Sequence, residues 1–240
     1  MSIIVYDETD DLYQQVCDKL IAFSTLKKEH IHIALSGGST PLAIFERLKQ
    51  LDAIHDINWH KLHFWWVDER AVKVEDSQSN YGQVKRILLD HIDITVDNLH
   101  LINGALSPEQ ASINYVIEMK KHLPLANGLP IFDWIWLGMG DDGHTASLFV
   151  DGVSLASSNW TSPATHPLSK QFRITLTLSV INNARHIDFL VTGESKAKMI
   201  AKILGDNDTP IAYPAKFVMA KNGKLTWHLD KSAASGLKSS

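Results

Sequence analysis

The chain has 240 residues and a formal charge of −4 without a basic run, which excludes the electrostatic footprint of a nucleic-acid binder. A hydrophobic fraction of 45% is ample for a continuous core, and no stretch reaches the roughly 18 uninterrupted apolar residues of a membrane span. The one cysteine, Cys17, excludes an intrachain disulfide; it falls in a helical pattern, where packing is its expected role in a reducing, cytoplasmic setting.

Met1 to Asp11 turns acidic after a short apolar run and lacks the basic start and long apolar centre of a secretory leader. Asp10 to Leu26 then shows helical spacing, and Ile31 to Leu35 reads as a strand. Pro41 to Leu51 is a helix, Leu62 to Val67 a strand, and Asn80 to Asp90 a helix. Pro108 to His122 follows with Ser107 as N-cap and Pro108 at the first helical position, and Asn127-Gly128 marks a stop beyond it. Trp134 to Leu137 and Ile187 to Val191 are strands, Phe172 to Leu178 alternates, and Ser195 to Leu204 is a helix. Phe217 to Ala220 starts a further strand, and Lys216 to Leu229 looks like two strands turning at Asn222-Gly223. The residues from Ser235 onward are expected to fray. Strand then helix, repeated, predicts an α/β fold: a mostly parallel sheet with helices on both faces, plus a small C-terminal β hairpin, in a single domain over 1–240.

Four loops could carry chemistry. Ser36-Gly37-Gly38-Ser39-Thr40-Pro41 lies between a strand and a helix, where free amides and the helix dipole suit a phosphate, although an ordinary cap would read the same. It is neither a dinucleotide fingerprint nor a P-loop. Val67-Asp68-Glu69-Arg70 ends an apolar strand; Arg70 offers a fork for phosphate or carboxylate and Asp68 can accept from sugar hydroxyls, or the run is a solvated turn. Asn80, ten residues on, can be a cap and nothing more.

Gly138-Met139-Gly140-Asp141-Asp142-Gly143-His144 places paired carboxylates and a histidine in a glycine-rich turn after a buried strand. Asp141, Asp142 and His144 are too close in sequence to supply a full metal shell, and no Gly-x-Ser-x-Gly elbow occurs. His144 is left as a general acid or base oriented by a carboxylate such as Asp142, or as an exposed side chain beside a helix cap. In the fourth loop, Lys196 sits in a helix's first turn, where the dipole disfavours a cation unless an anion or carboxylate lies near.

These loops in this order, SGGSTP, VDER with SNY, LGMGDDGHTASLF, RITLTLSVINNAR, FLVTGESKA and PAKFV with LTWHLD, resemble the 6-phosphogluconolactonases, within the larger family that includes glucosamine-6-phosphate isomerase/deaminase. The resemblance implies a Rossmann-like fold and hydrolysis of 6-phospho-D-glucono-1,5-lactone to 6-phospho-D-gluconate, in the oxidative pentose phosphate pathway, without a metal or other cofactor. It implies that Gly37, Gly38, Ser39 and Thr40 hold the phosphate with Arg173 and Lys196, that Arg70 lines the pocket, and that His144 is the general base.

Deaminases continue the matching stretch into Asn-Glu-Pro, whereas this chain reads Thr145-Ala146-Ser147-Leu148-Phe149 and has Arg70 where deaminases have Tyr. The competing readings are a sugar-phosphate isomerase or deaminase with Asp68 as proton shuttle, and a non-catalytic sugar-phosphate sensor. The expected partner is a small sugar-phosphate lactone, with no nucleic acid and no membrane, and the expected state is a monomer.

Overall fold

The computed structural model describes residues 1–150, 152–205 and 213–237. β1 (Ser2–Tyr6) leads to α1 (Thr9–Ser24), and β2 (Ile31–Leu35) to α2 (Ser39–Lys49). β3 (Leu62–Trp66) runs almost directly into β4 (Asp68–Arg70), ahead of α3 (Asn80–Ile87); β5 (Leu99–His100) precedes α4 (Pro108–His122). After β6 (Leu125–Ala126) and β7 (Leu129–Pro130) come β8 (Trp134–Leu137), β9 (Thr161–Thr165) and β10 (Phe172–Leu176). α5 (Leu178–Ile181), β11 (His186–Val191), α6 (Ala197–Leu204), β12 (Lys224–Asp230) and α7 (Lys231–Ala234) complete the order.

The main sheet has seven strands in the order β1-β12-β11-β8-β2-β3-β5, and every pairing is parallel. Its central strands β2, β3 and β8 are buried throughout, which is why they read as apolar runs interrupted only by His32 and His63. Alternation along a strand sends neighbours to opposite faces. Trp134 and Trp136 meet Phe23 of α1 and Phe45 of α2, while Trp65 meets Tyr115 of α4 on the other face. Cys17 is buried in the α1 interface, and burial pushes its thiol up to about 12, consistent with packing. Among the described residues, no helix is long and apolar enough to cross a membrane.

The C-terminal hairpin expected at Asn222-Gly223 is not formed. Pro214–Phe217 is a short 3-10 turn, the chain onward to β12 is irregular, and β12 lies between β1 and β11, parallel to both. With both its edges taken, β12 leaves no place for an antiparallel partner. The hairpin signal is used instead at Asn127-Gly128, where φ of 52° and 75° lets β6 turn back onto β7. The short apolar run at the start of the chain forms β1, most of it exposed at the sheet edge. Of the tail, Leu237 packs against the core, and the last three residues lie outside the described ones.

A second sheet, β4-β10-β9, is antiparallel and turns Asp68 to Arg70 of the expected loop into a strand. Glu69 is buried there, and its carboxylate accepts from the Asn80 and Tyr81 amides at 2.7 and 2.8 Å, anchoring the start of α3.

Three buried histidines, His32, His63 and His100, lie on β2, β3 and β5. Burial is the main cause holding His63 and His100 down to about 4 and His32 to about 2. An unfolded imidazole titrates near ~6.5, so below that pH the unfolded chain takes up protons the folded chain refuses. Stability is therefore expected to fall as pH drops from about 6.5 to about 4, and to keep falling toward about 2 through His32. Urea midpoints at about pH 7 and about pH 5 test this; equal midpoints would refute it.

Candidate active site

The chain runs outward from β2 to β3 and β5, then returns through β8, β11 and β12 on the other side. The switch point lies between β2 and β8, where parallel sheets open a crevice at their carboxyl ends. Loops after β2, β3, β8 and β11 meet there around a cavity of about 240 Å³, a size for one small molecule.

After β2, Gly38 caps α2 with φ of 108°, a conformation a side chain would strain. The helix begins at Ser39, two residues before the expected Pro41, so the Ser39 and Thr40 amides belong to the first turn and have no intrahelical acceptor. Ser36 Oγ donates to the Trp136 carbonyl at 2.8 Å, and Thr40 Oγ1 lies 3.0 Å from Thr192 Oγ1. The loop is thus tied to both its neighbours.

β4 and β10 set Arg70 directly opposite Arg173. Like charges across a ladder are destabilising, and the neighbouring Asp68 carboxylate offsets this in part. Arg70 donates to the Gln78 carbonyl at 2.6 Å; Arg173 reaches Gln171 Oε1 at 3.2 Å, Ser147 Oγ at 3.5 Å and Asp68 Oδ2 at 3.8 Å. Nε of each arginine is buried with no hydrogen-bond partner among the described residues. Two guanidinium groups with spare donors facing one cavity make an anion site.

Asp68 is buried and engaged: Oδ2 accepts from Ser147 Oγ at 2.6 Å, and Asn80 Nδ2 donates to its backbone carbonyl at 2.9 Å. Lys196 Nζ pairs with Asp141 Oδ1 at 2.7 Å, which supplies the carboxylate that its position near a helix start calls for. Asp141 is largely exposed, so an arriving anion can share the lysine.

In the loop after β8, His144 Nδ1 lies 2.5 Å from Asp142 Oδ1, which also accepts from the His144 amide at 3.2 Å. The bond from His144 holds the Asp142 carboxyl down to about 2, so the carboxylate is ionised across the working range. It retains the Nδ1 proton and leaves the Nε2 lone pair available. A Cβ on Gly140 would stand 2.2 Å from His144 Nδ1, so the loop needs glycine there for the imidazole to lie close. The ring packs against Phe149, with centroids 4.9 Å apart.

Gly37, Gly38, Ser39, Thr40, Asp68, Arg70, His144, Arg173 and Lys196 all line this one cavity, and Asp142 stands behind His144. Asn80 also lines it, whereas the helix cap is Ser79, whose hydroxyl accepts from the Gly82 amide at 3.0 Å. Reading Asn80 as a cap missed this. Ser147 and Thr192 were missed as well, because each acts through a partner, Asp68 or Thr40, distant in sequence.

The family model of the glucosamine-6-phosphate isomerases/6-phosphogluconolactonase matches residues 7–227. A 6-phosphogluconolactonase of Haemophilus influenzae is 41% identical, covering 97% of this chain and 98% of that protein. The crystal structure of a protein called devB superposes with a TM-score of 0.95 at 36% identity over 99% of both chains. The 6-phosphogluconolactonase of Trypanosoma brucei gives a TM-score of 0.87 at 28% identity over 99% of this chain and 98% of that one. With its fold, its loop order and these matches agreeing from end to end, the chain belongs to the glucosamine-6-phosphate isomerase/6-phosphogluconolactonase family.

Proposed function

We propose that this protein hydrolyses 6-phospho-D-glucono-1,5-lactone to 6-phospho-D-gluconate, with His144 as general base. The observation that carries the reading is the union, in one cavity, of a carboxylate-held imidazole with two arginines carrying spare donors. A δ-lactone is an activated ester and needs no covalent nucleophile. His144 Nε2 removes a proton from water as the water oxygen bonds to C1, and the carbonyl electrons move to an oxyanion. The C1–O5 bond then breaks, the imidazolium returns its proton to O5, and the new acid ionises in solution.

Asp142 stabilises the imidazolium without taking its proton. The amides of Ser39 and Thr40, with Lys196 and the paired arginines, hold the substrate's anionic groups. Binding energy gathered at the phosphate, far from C1, positions the carbonyl against the water.

The engagement of Asp68 favours hydrolysis over isomerisation, since a proton shuttle between C1 and C2 needs a free carboxylate and this one is held by Ser147. Freshly made lactone, followed through an NADP-linked 6-phosphogluconate dehydrogenase, should be consumed well above its spontaneous opening. Ammonia released from glucosamine 6-phosphate without lactone turnover would overturn the reading, and so would 6-phosphogluconate binding with no turnover at all. On this reading the protein acts as a single domain and as a monomer. Light scattering that gave a dimer mass would refute the monomer.

A further inference from the structure

A cluster of imidazoles lies away from the cavity, toward the amino-terminal ends of β2 and β3, and none of its members lines the cavity. At its outer end, His100 from β5 meets Glu118 and His122 from the last two turns of α4. His100 Nδ1 and His122 Nε2 converge on the same carboxylate oxygen, Glu118 Oε1, at 2.9 and 3.1 Å. All three donor atoms fall within 4.8 Å of one another.

We propose that His100, Glu118 and His122 form a binding site for a divalent transition-metal ion, Zn(II) in the first instance. Tetrahedral zinc with bonds of about 2.0–2.1 Å sets its ligand atoms roughly 3.3 Å apart, so the two nitrogen–oxygen separations already approximate two edges of the polyhedron. Two imidazoles and one carboxylate match zinc's preferences, and Glu118 and His122 stand one helical turn apart on one face of α4. The remaining closure comes from His122, whose side chain is about one-third exposed at 35% and can turn. Solvent can fill the fourth position from the same side.

The surroundings of His100 support a ligand role. Its ring is stacked on Trp65 with centroids 3.8 Å apart and planes 11° apart, which fixes its direction. Its other nitrogen, Nε2, lies 2.9 Å from His63 Nδ1, and His63 Nε2 lies 3.0 Å from His30 Nδ1. Metal-ligating histidines characteristically donate their second N–H to a hydrogen-bond acceptor, a place that His63 Nδ1 can take. Without metal, Nδ1–H of His100 donates to Glu118 and Nδ1–H of His63 donates to His100 Nε2; with metal, the His100 Nδ1 proton passes to solvent, the His63 Nδ1 proton moves to His100 Nε2, and His63 takes a replacement proton at Nε2 from solvent by way of His30, so each imidazole stays neutral. Lys121 approaches only the other carboxylate oxygen, Glu118 Oε2, at 3.7 Å.

Bound there, the ion would staple the end of α4 to the edge strand β5, away from the cavity. The test uses the whole chain, stripped with a chelator and dialysed against zinc chloride. Elemental analysis should find one more zinc per chain in the wild type than in His122→Ala or Glu118→Gln. Zinc at about 100 times its dissociation constant should raise the wild-type Tm by roughly 5–10 °C and leave the Tm of both variants nearly unmoved. His122→Ala trims a partly exposed side chain, and Glu118→Gln keeps the shape, so the pair guards against a variant that fails to fold. Equal zinc content and equal Tm shifts in wild type and variants would overturn the site, as would a wild type that takes up no zinc.

Discussion

His144→Ala is expected to lower kcat about 100- to 10,000-fold while leaving KM little changed, the range typical for removing a general base. The imidazole is held by Asp142 and Gly140 rather than by the groups assigned to the phosphate, so its loss removes chemistry and spares binding. Asp142→Asn should show a smaller fall in kcat with the same split, because an amide can still contact the ring but does not balance the charge of an imidazolium. Both rates must be read after subtracting spontaneous lactone opening, which sets a floor common to every variant. A His144→Ala enzyme that kept near-wild-type kcat would remove the imidazole from the base role and pass it to another group in the cavity.

Replacing either arginine by methionine, which keeps the apolar stem, should cut kcat/KM roughly 10- to 100-fold, the worth of a hydrogen bond to a charged ligand. The arginines face each other across the β4–β10 ladder, so the double variant should lose less than the product of the single losses. The same geometry predicts an opposite effect on stability. Removing one of two like charges relieves repulsion, so Arg70→Met should keep or slightly raise the Tm of the ligand-free chain despite its lower activity. Inorganic phosphate gives the complementary measurement: it should raise the Tm of the wild type and shift that of Arg173→Met much less. Equal protection of both proteins would place the phosphate elsewhere.

What could be read from the residues followed burial. The central strands are buried throughout and apolar but for His32 and His63, and they were found at nearly their observed limits, as was α4 with its Ser107 cap. β1 does carry a short apolar run, Ile3-Ile4-Val5, but the run alone does not say that it pairs at the sheet edge with β12, distant in sequence. The misplaced C-terminal hairpin has a different cause: Asn222-Gly223 carries turn chemistry, but which strand a segment joins is decided by free edges in the sheet. Most residues that line the cavity lie in loops whose local composition signals them. Arg173 had its role only through the resemblance until β10 set it against Arg70, and Ser147 took meaning only once it reached Asp68. Such pairings across long sequence separations are written in topology and not in spacing.

The pairing of β1 with β12 joins segments about 220 residues apart, and this sets a timetable for the protein's synthesis. Translation delivers β1 first of the two, and its hydrogen-bonding partner emerges from the ribosome only after all the strands between them. At about 5–20 residues per second, that delay is on the order of ten seconds or more. Throughout it the nascent chain carries Ile3, Ile4 and Val5 as an unpaired β-prone segment, the type of surface that holdase chaperones recognise. A chain halted before Lys224 could assemble the crevice-forming strands β2, β3, β8 and β11 but would leave β11 with an open flank and β1 with nowhere to dock.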